Sequence, residues 1–364
     1  MSDLVTALNH NIGSILLVLI VFMLSVALSR LQDEQNGTMK AILIRCLYIL
    51  PPAILVACRG CGTGADTVNF YALYYYCDGN LIENVDFTGV LYFIIQYYTH
   101  QWMGANPILF FFIIAFIPLY CVALLAEKAC PNRIQLSLFV FYLFWGLQLM
   151  NQSRQMVAVG ILALGFLYLK EKNMKTFVLC TVLASTFHLT ALFASLIYLV
   201  IYLFRDKRYL LVGIFVGTFW VAINFSAFFG QLGALLGDLK YVDYLENENY
   251  SLGLGLVIVI LPILSPLFLI KDKTEEGLQF RFLLSYVFPI RLAAYTVYFV
   301  YRMLYYFGVF TMVYFPMIVD ISKNKKMAKG VVIFMSVFYF VVYYCWTAAP
   351  NYFPYVPFEY FTWK

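Results

Sequence analysis

Charge is scarce in this chain. Only 12% of its 364 residues are Asp, Glu, Lys or Arg, against about 25% in an ordinary soluble domain, while 63% are hydrophobic. A water-soluble fold cannot hide that much apolar surface. Histidine is scarcer still. His10, His100 and His188 are the only three, with no His-x-x-x-His pair and no clustered Cys/His spacing, which argues against a zinc centre. Met1 to Asn11 holds no Lys or Arg and no small-residue cleavage site follows Leu28, so the first apolar run is expected to stay as a helix rather than act as a secretory signal. The glycines at 60, 62 and 64 do not form a phosphate loop, because no strand precedes them and no Gly-Lys-Ser/Thr follows.

Uninterrupted apolar runs are what the chain has instead. Ile12 to Leu28, Ile108 to Leu125 and Thr176 to Phe204 contain no Asp, Glu, Lys or Arg, and about 17 to 25 such residues cross a bilayer as a helix. The whole chain, 1–364, is therefore expected to be one all-α, polytopic integral membrane domain. It should have about twelve transmembrane helices, extracytoplasmic loops near 59–86 and 230–253, and short re-entrant or interfacial helices.

Lys and Arg collect in short cytoplasmic loops, so each basic cluster takes a side. Six clusters hold 18 of the 24 basic residues: Arg30, Lys40 and Arg45; Lys128 and Arg133; Lys170, Lys172 and Lys175; Arg205, Lys207 and Arg208; Lys271, Lys273 and Arg281; and Lys323, Lys325, Lys326 and Lys329. Their place in the topology, not the net charge of +5, accounts for them, and no nucleic-acid partner is expected. Placing all six inside puts both termini outside, with spans near 12–29, 41–57, 107–126, 134–150, 155–169, 175–188, 189–204, 209–229, 254–270, 282–300, 303–320 and 330–347. The apolar stretch 87–99 is short, and a span there would reverse every later cluster. Its tyrosines suit an interfacial or re-entrant helix. As one helix, 176–204 would be roughly 43 Å long and would carry Lys175 and Arg205 to opposite sides. A break at His188 gives two legs that meet outside, level with Arg154.

Five basic residues then remain external, Arg59, Arg154, Lys240, Arg302 and Lys364, while Arg291 falls inside a span. Singly, each outer arginine reads equally well as a snorkelling side chain. Arg291 is harder to dismiss, because a charge at membrane depth costs about 2.5 to 3.5 kcal/mol or more. Pro289 offers a helix break that would bring it nearer the outer surface. Several arginines converging on one outer site would suit a phosphate anion, since the guanidinium fork pairs bidentately with its oxygens.

In the loop after Arg59, Asp66 and Thr67 are placed to cap a short helix running to Tyr76. The loop at 230–253 mixes Asp238, Lys240, Tyr241, Asp243, Tyr244, Glu246 and Glu248, a blend found in sugar sites and in plain solvated loops. His188, in Ser-Thr-Phe-His-Leu-Thr, is either a hydrogen-bonded packing residue or a neutral imidazole able to act as a base. A disulfide between Cys61 and Cys77 suits an oxidising compartment, though spacing alone does not fix the pairing.

In their order and spacing, certain residues carry a resemblance along most of the chain: Arg59 with Gly64, Asp66 and Tyr71; Arg154-Gln155 with Ala158; the Lys170-Glu-Lys172 turn; Ala184 with Phe187-His188; and Arg302 followed by Tyr306-Phe307 and Pro316. The chain resembles the EpsG family of membrane proteins, related to the Wzy-type polymerases of bacterial O-antigen, capsule and exopolysaccharide. It departs from the pattern at Cys58, Cys61 and Ala65.

The resemblance implies a multi-span glycosyltransferase. It would extend a glycan on a polyprenyl diphosphate at the outer face of the bacterial plasma membrane, with a flippase and a chain-length regulator as partners. On that reading Arg154 and Arg302, helped by Arg59 or Arg291, hold the leaving diphosphate, and Asp66 or His188 takes the proton of the acceptor hydroxyl. Gln155, Tyr71 and Tyr306 join the substrate-binding set, and Tyr74, Tyr75, Tyr241 and Tyr244 are either sugar-stacking rings or an interfacial aromatic belt. No cofactor is required, and a divalent metal stays open because of the outer carboxylates. Two rivals remain. A transporter of lipid-linked sugar would be marked by inverted repeats, of which none is evident. A membrane acyltransferase would be marked by a histidine base near the cytoplasmic side, whereas His188 maps outside.

Overall fold

The computed structural model describes residues 2–33, 37–77, 89–224, 260–265, 274–294 and 298–347, together with 349, 352, 353 and 355. Among them there is no strand. In chain order the main helices are α1 Ser2–Leu28, α2 Thr38–Ala57, α3 Thr67–Tyr75, α4 Val90–Met103, α5 Ile108–Ala129, α6 Ile134–Phe141 and α7 Ser153–Lys170. They continue with α8 Met174–Phe187, α9 Thr190–Leu203, α10 Arg208–Ile223, α11 Glu275–Ser285, α12 Val287–Ala293, α13 Thr311–Ile321 and α14 Lys325–Tyr339. α6 runs through a wider π segment, Tyr142–Gly146, into one more turn at Gln148–Asn151.

Among the described residues six stretches are long and apolar enough to cross a membrane: Asn11–Leu31, Thr38–Ala57, Ile108–Ala129, Ser153–Lys170, Val300–Ile321 and Lys325–Cys345. Met174–Phe187, Thr190–Leu203 and Tyr209–Val221 are apolar but shorter. The expected span 282–300 is instead two short helices, α11 and α12, parted at Tyr286. The expected loop 230–253 and most of the span 254–270 lie outside the described residues. Most of the stretch 87–99, from Val90 on, does lie in a helix, α4, which packs against α3, α5 and α8.

Helix starts follow side-chain chemistry where the chain leaves the apolar layer. Asn173, Thr274 and Asn324 cap α8, α11 and α14, each side chain accepting a backbone N–H of the first turn. Pro51 and Pro52 in α2, Pro118 in α5 and Pro316 in α13 lie inside helices, as packed neighbours in a bilayer permit. α7 is the hub, packed against α5, α8 and α9. Close approach to α5 rests on Gly160, where a Cβ would stand 3.0 Å from the Pro118 Cα. The α7 and 300–321 windows are each 83% buried, against 28% for the first span. The centre is thus wrapped by protein and the rim by lipid.

One end of this bundle is bound by ion pairs. Lys128 meets Glu171 at 3.2 Å and Arg133 meets Asp320 at 2.5 Å. One to two turns inside α2, Arg45 donates Nε to both oxygens of Glu127 at 3.0 Å and Nη1 to the Tyr120 hydroxyl at 2.8 Å, while the Tyr48 hydroxyl donates to Glu127 at 2.6 Å. These basic residues belong to clusters that the sequence places on one side. All eight cysteines are free thiols, Cys77 among the buried ones.

Candidate functional site

The opposite end holds Arg59, Arg154 and Arg302. Arg154 lies in the first turn of α7, a helix with no acidic residue there. A cation is unfavourable at that position because the exposed amides already carry partial positive charge, whereas an anion is favoured. Its guanidinium makes no hydrogen bond to any described residue; it lies 5.9 Å from the Tyr92 ring centroid and 6.0 Å from that of Phe93. Gly89, just before α4, makes room for it. A Cβ there would stand 3.0 Å from Arg154 Nη1 and 3.1 Å from the Phe187 carbonyl oxygen.

Arg302 closes a 3₁₀ turn, Tyr298–Met303. Its backbone oxygen accepts from Gln155 Nε2 at 2.5 Å, and its Nη2 stands 4.0 Å from Asp66 Oδ2, with side-chain exposures of 38% and 30%. Buried Arg302 Nε and Gln155 Oε1 have no hydrogen-bond partner, leaving one donor and one acceptor unsatisfied beside the cluster. Asp66 is the residue before α3, as expected, but its side chain caps nothing. Its Oδ2 accepts from Gln152 Nε2 at 2.7 Å, and its backbone N–H donates to Asn151 Oδ1 at 2.9 Å. Burial raises the Asp66 carboxyl above its ordinary range, more than Arg302 and the Gln152 hydrogen bond lower it.

His188 sits in extended backbone between α8 and α9, so the break read from the sequence is real. Its Nδ1 lies 2.6 Å from Thr190 Oγ1, which lies 3.1 Å from the Tyr306 hydroxyl. Burial, then the charges of Arg154 and Arg302, push the imidazole down to about 3. It is neutral at pH 7. Arg154 and Arg302 are linked through Gln155, which follows Arg154 in α7 and donates to the Arg302 backbone oxygen.

Arg59 is placed differently. It is fully buried, with Nη1 donating to the Val56 oxygen at 2.7 Å, Nη2 to Ser153 Oγ at 2.9 Å and Nε to Thr67 Oγ1 at 3.3 Å, its guanidinium 4.1 Å from the Phe111 centroid. Burial pulls it down to about 10, so it stays charged. Tyr71 donates to the Arg59 oxygen at 2.7 Å, and the two tie the segment between α2 and α3 to α7. Tyr306 is fully buried, its hydroxyl turned to Thr190. Arg291 sits on α12 within electrostatic reach of Tyr339 and takes part in none of the bonds above. Among the described residues no three His, Cys, Asp or Glu side chains gather as metal ligands.

Sequence reasoning passed over Gln152, Thr190, Tyr301 and Gly89. The signal for the first was on the page: five polar residues, Asn151 to Gln155, head an apolar helix, yet all but Arg154 are buried. Such burial is tolerated only with partners.

An all-helical bundle with several helices long and apolar enough to cross a membrane, and a partly open arginine cluster at one end, defines a polytopic membrane protein. The EpsG family model matches residues 42–360, and the chain belongs to the EpsG family, membrane proteins of polysaccharide biosynthesis. No curated protein and no solved structure matches it.

Proposed function

We propose that this protein is a glycosyltransferase that polymerises polyprenyl-diphosphate-linked oligosaccharide repeat units at the outer face of a bacterial plasma membrane. The observation that carries the reading is a pair of linked arginines at one end of the bundle: Arg302, with Nη2 4.0 Å from Asp66 Oδ2 and its backbone oxygen held by Gln155, and Arg154, next to Gln155 in a helix's first turn, whose guanidinium makes no hydrogen bond to any described residue. Arginine forks and helix amides together suit a diphosphate, and charge accumulates on that group as it leaves the anomeric carbon. Asp66 and His188 stand beside the arginines as acceptors for the proton of the attacking hydroxyl. Gln155, whose Oε1 lacks a partner, can accept from a sugar hydroxyl. Arg59 and Tyr71 serve the site by fixing the loop that carries Asp66.

The test is the purified full-length protein in liposomes with a synthetic lipid-linked repeat unit. Longer glycan on the lipid diphosphate, with free lipid diphosphate released and without nucleotide sugar or acyl donor, is expected. Transfer of unextended lipid-linked sugar across the bilayer, or acylation that needs an acyl donor, would replace the reading with one of its rivals. Sidedness is checked in a cysteine-free background: Leu189→Cys, at a position 44% exposed, should react with an impermeant thiol reagent in intact cells, while Asp206→Cys stays protected.

A further inference from the structure

The structure assigns the proton-accepting role to Asp66, and it makes Gln152 the positioning residue that holds one carboxylate oxygen and leaves the other free. The inference rests on the glycosyl-transfer reading above and divides the labour between its two candidate bases.

Asp66 stands where an acidic side chain would ordinarily cap α3, a contact worth about 1 kcal/mol that it does not make. Its backbone is pinned by Asn151 and its Oδ2 by Gln152, two buried residues in the link into α7. Gln152 Nε2 also lies 3.2 Å from the Tyr301 hydroxyl, so it bridges the outer loop to the element carrying Arg302. No described residue donates to Oδ1. A local rule broken and re-braced by buried partners marks a side chain held for another purpose.

The charged and titratable groups around the carboxylate are few. Arg302 faces it from the 3₁₀ turn at 4.0 Å, Tyr301 faces Gln152, and Tyr352 acts on Asn151. Arg59 lies beneath, spent on Val56, Thr67 and Ser153. Burial makes Asp66 more basic than an exposed carboxylate, whereas His188 is made less basic by burial and both arginines. His188 is therefore the weaker proton acceptor and stays neutral, with Nδ1 tied to Thr190 and Nε2 left to hydrogen-bond substrate.

In the transfer step the acceptor hydroxyl oxygen bonds to the anomeric carbon. The bond from that carbon to the diphosphate oxygen breaks, its electron pair leaving with the diphosphate held by Arg154 and Arg302. The hydroxyl proton passes to Asp66 Oδ1 and then to water.

The experiment is the rate–pH profile of polymerisation by the full-length protein in liposomes. The base works ionised, so the rate falls as pH falls through its pKa, and losing a hydrogen bond to the ionised form raises that pKa. Gln152→Met, similar in length but without a donor, should lower kcat about tenfold with little change in KM and move the acid limb to higher pH. Gln152→Glu should move it further. Asp66→Asn should cost about 100-fold or more. His188→Gln should reduce the rate without moving the limb. An acid limb unmoved in both Gln152 variants, or one moved by His188→Gln, overturns the inference and leaves the polymerase reading standing. Absence of polymer from the wild type overturns both.

Discussion

At one end of the bundle Arg45 gives its guanidinium to both oxygens of Glu127 and to Tyr120, whereas at the other the Arg154 guanidinium makes no hydrogen bond to any described residue and lies near the rings of Tyr92 and Phe93. Both are arginines of a membrane protein, and both are mostly out of water. A satisfied pair needs nothing more, and a charge so placed contributes cohesion between α2 and α5. An unsatisfied one is costly unless a ligand completes it. Arg59 falls between them, fully buried but saturated by neutral oxygens. The partners of an arginine, rather than its depth, separate clamp from site.

The largest effect should come from changing the fork without the charge. Arg154→Lys and Arg302→Lys should each lower the polymerisation rate about 100-fold, the scale of losing a donor that stabilises transition-state charge, with membrane abundance and Tm unchanged. Normal rates at matched expression would make these arginines interfacial anchors and erase the contrast.

The mirror-image result is expected at Arg45. Glu127→Ala should destabilise by about 3–5 kcal/mol, because it strands a buried cation, while Arg45→Met with Glu127→Leu should recover most of that loss. Thermal unfolding in detergent reads both. A Glu127→Ala protein as stable as wild type would mean that the pair contributes nothing to cohesion.

A smaller effect tests the space around Arg154. Gly89→Ala puts a methyl group against the guanidinium and the Phe187 carbonyl, so activity should fall about tenfold, in keeping with the sensitivity of catalysis to small displacements, while Tm changes little. Unchanged activity would show that Arg154 can shift without loss.

Much of this was legible in the sequence for a physical reason: lipid forces a strong signal. The helix break at His188 followed from two basic flanks that one long helix would have separated, and α8 and α9 part there. The helix at α4 followed from a run too short to span. What the sequence hid were contacts between segments far apart in the chain. Nothing local says that Arg59 turns inward to Ser153, 94 positions away, or that Asp66 abandons its cap for Gln152, 86 positions away. Pro289 did mark a break in the expected span 282–300, but the sequence did not fix its place, and the helices part three residues earlier, at Tyr286.

The hairpin of α8 and α9 has one more consequence. Each leg is 14 residues, about 21 Å of helix, beside a hydrocarbon layer of about 30 Å. Leu179 and Phe193, 66% and 62% exposed, point away from the protein, so these legs meet acyl chains directly. A short hydrophobic stretch is met by thinning of the bilayer, by snorkelling flanks or by oligomerisation; of these, thinning would lower the membrane surface toward the turn at His188 and shorten the path of a lipid headgroup to that end of the bundle.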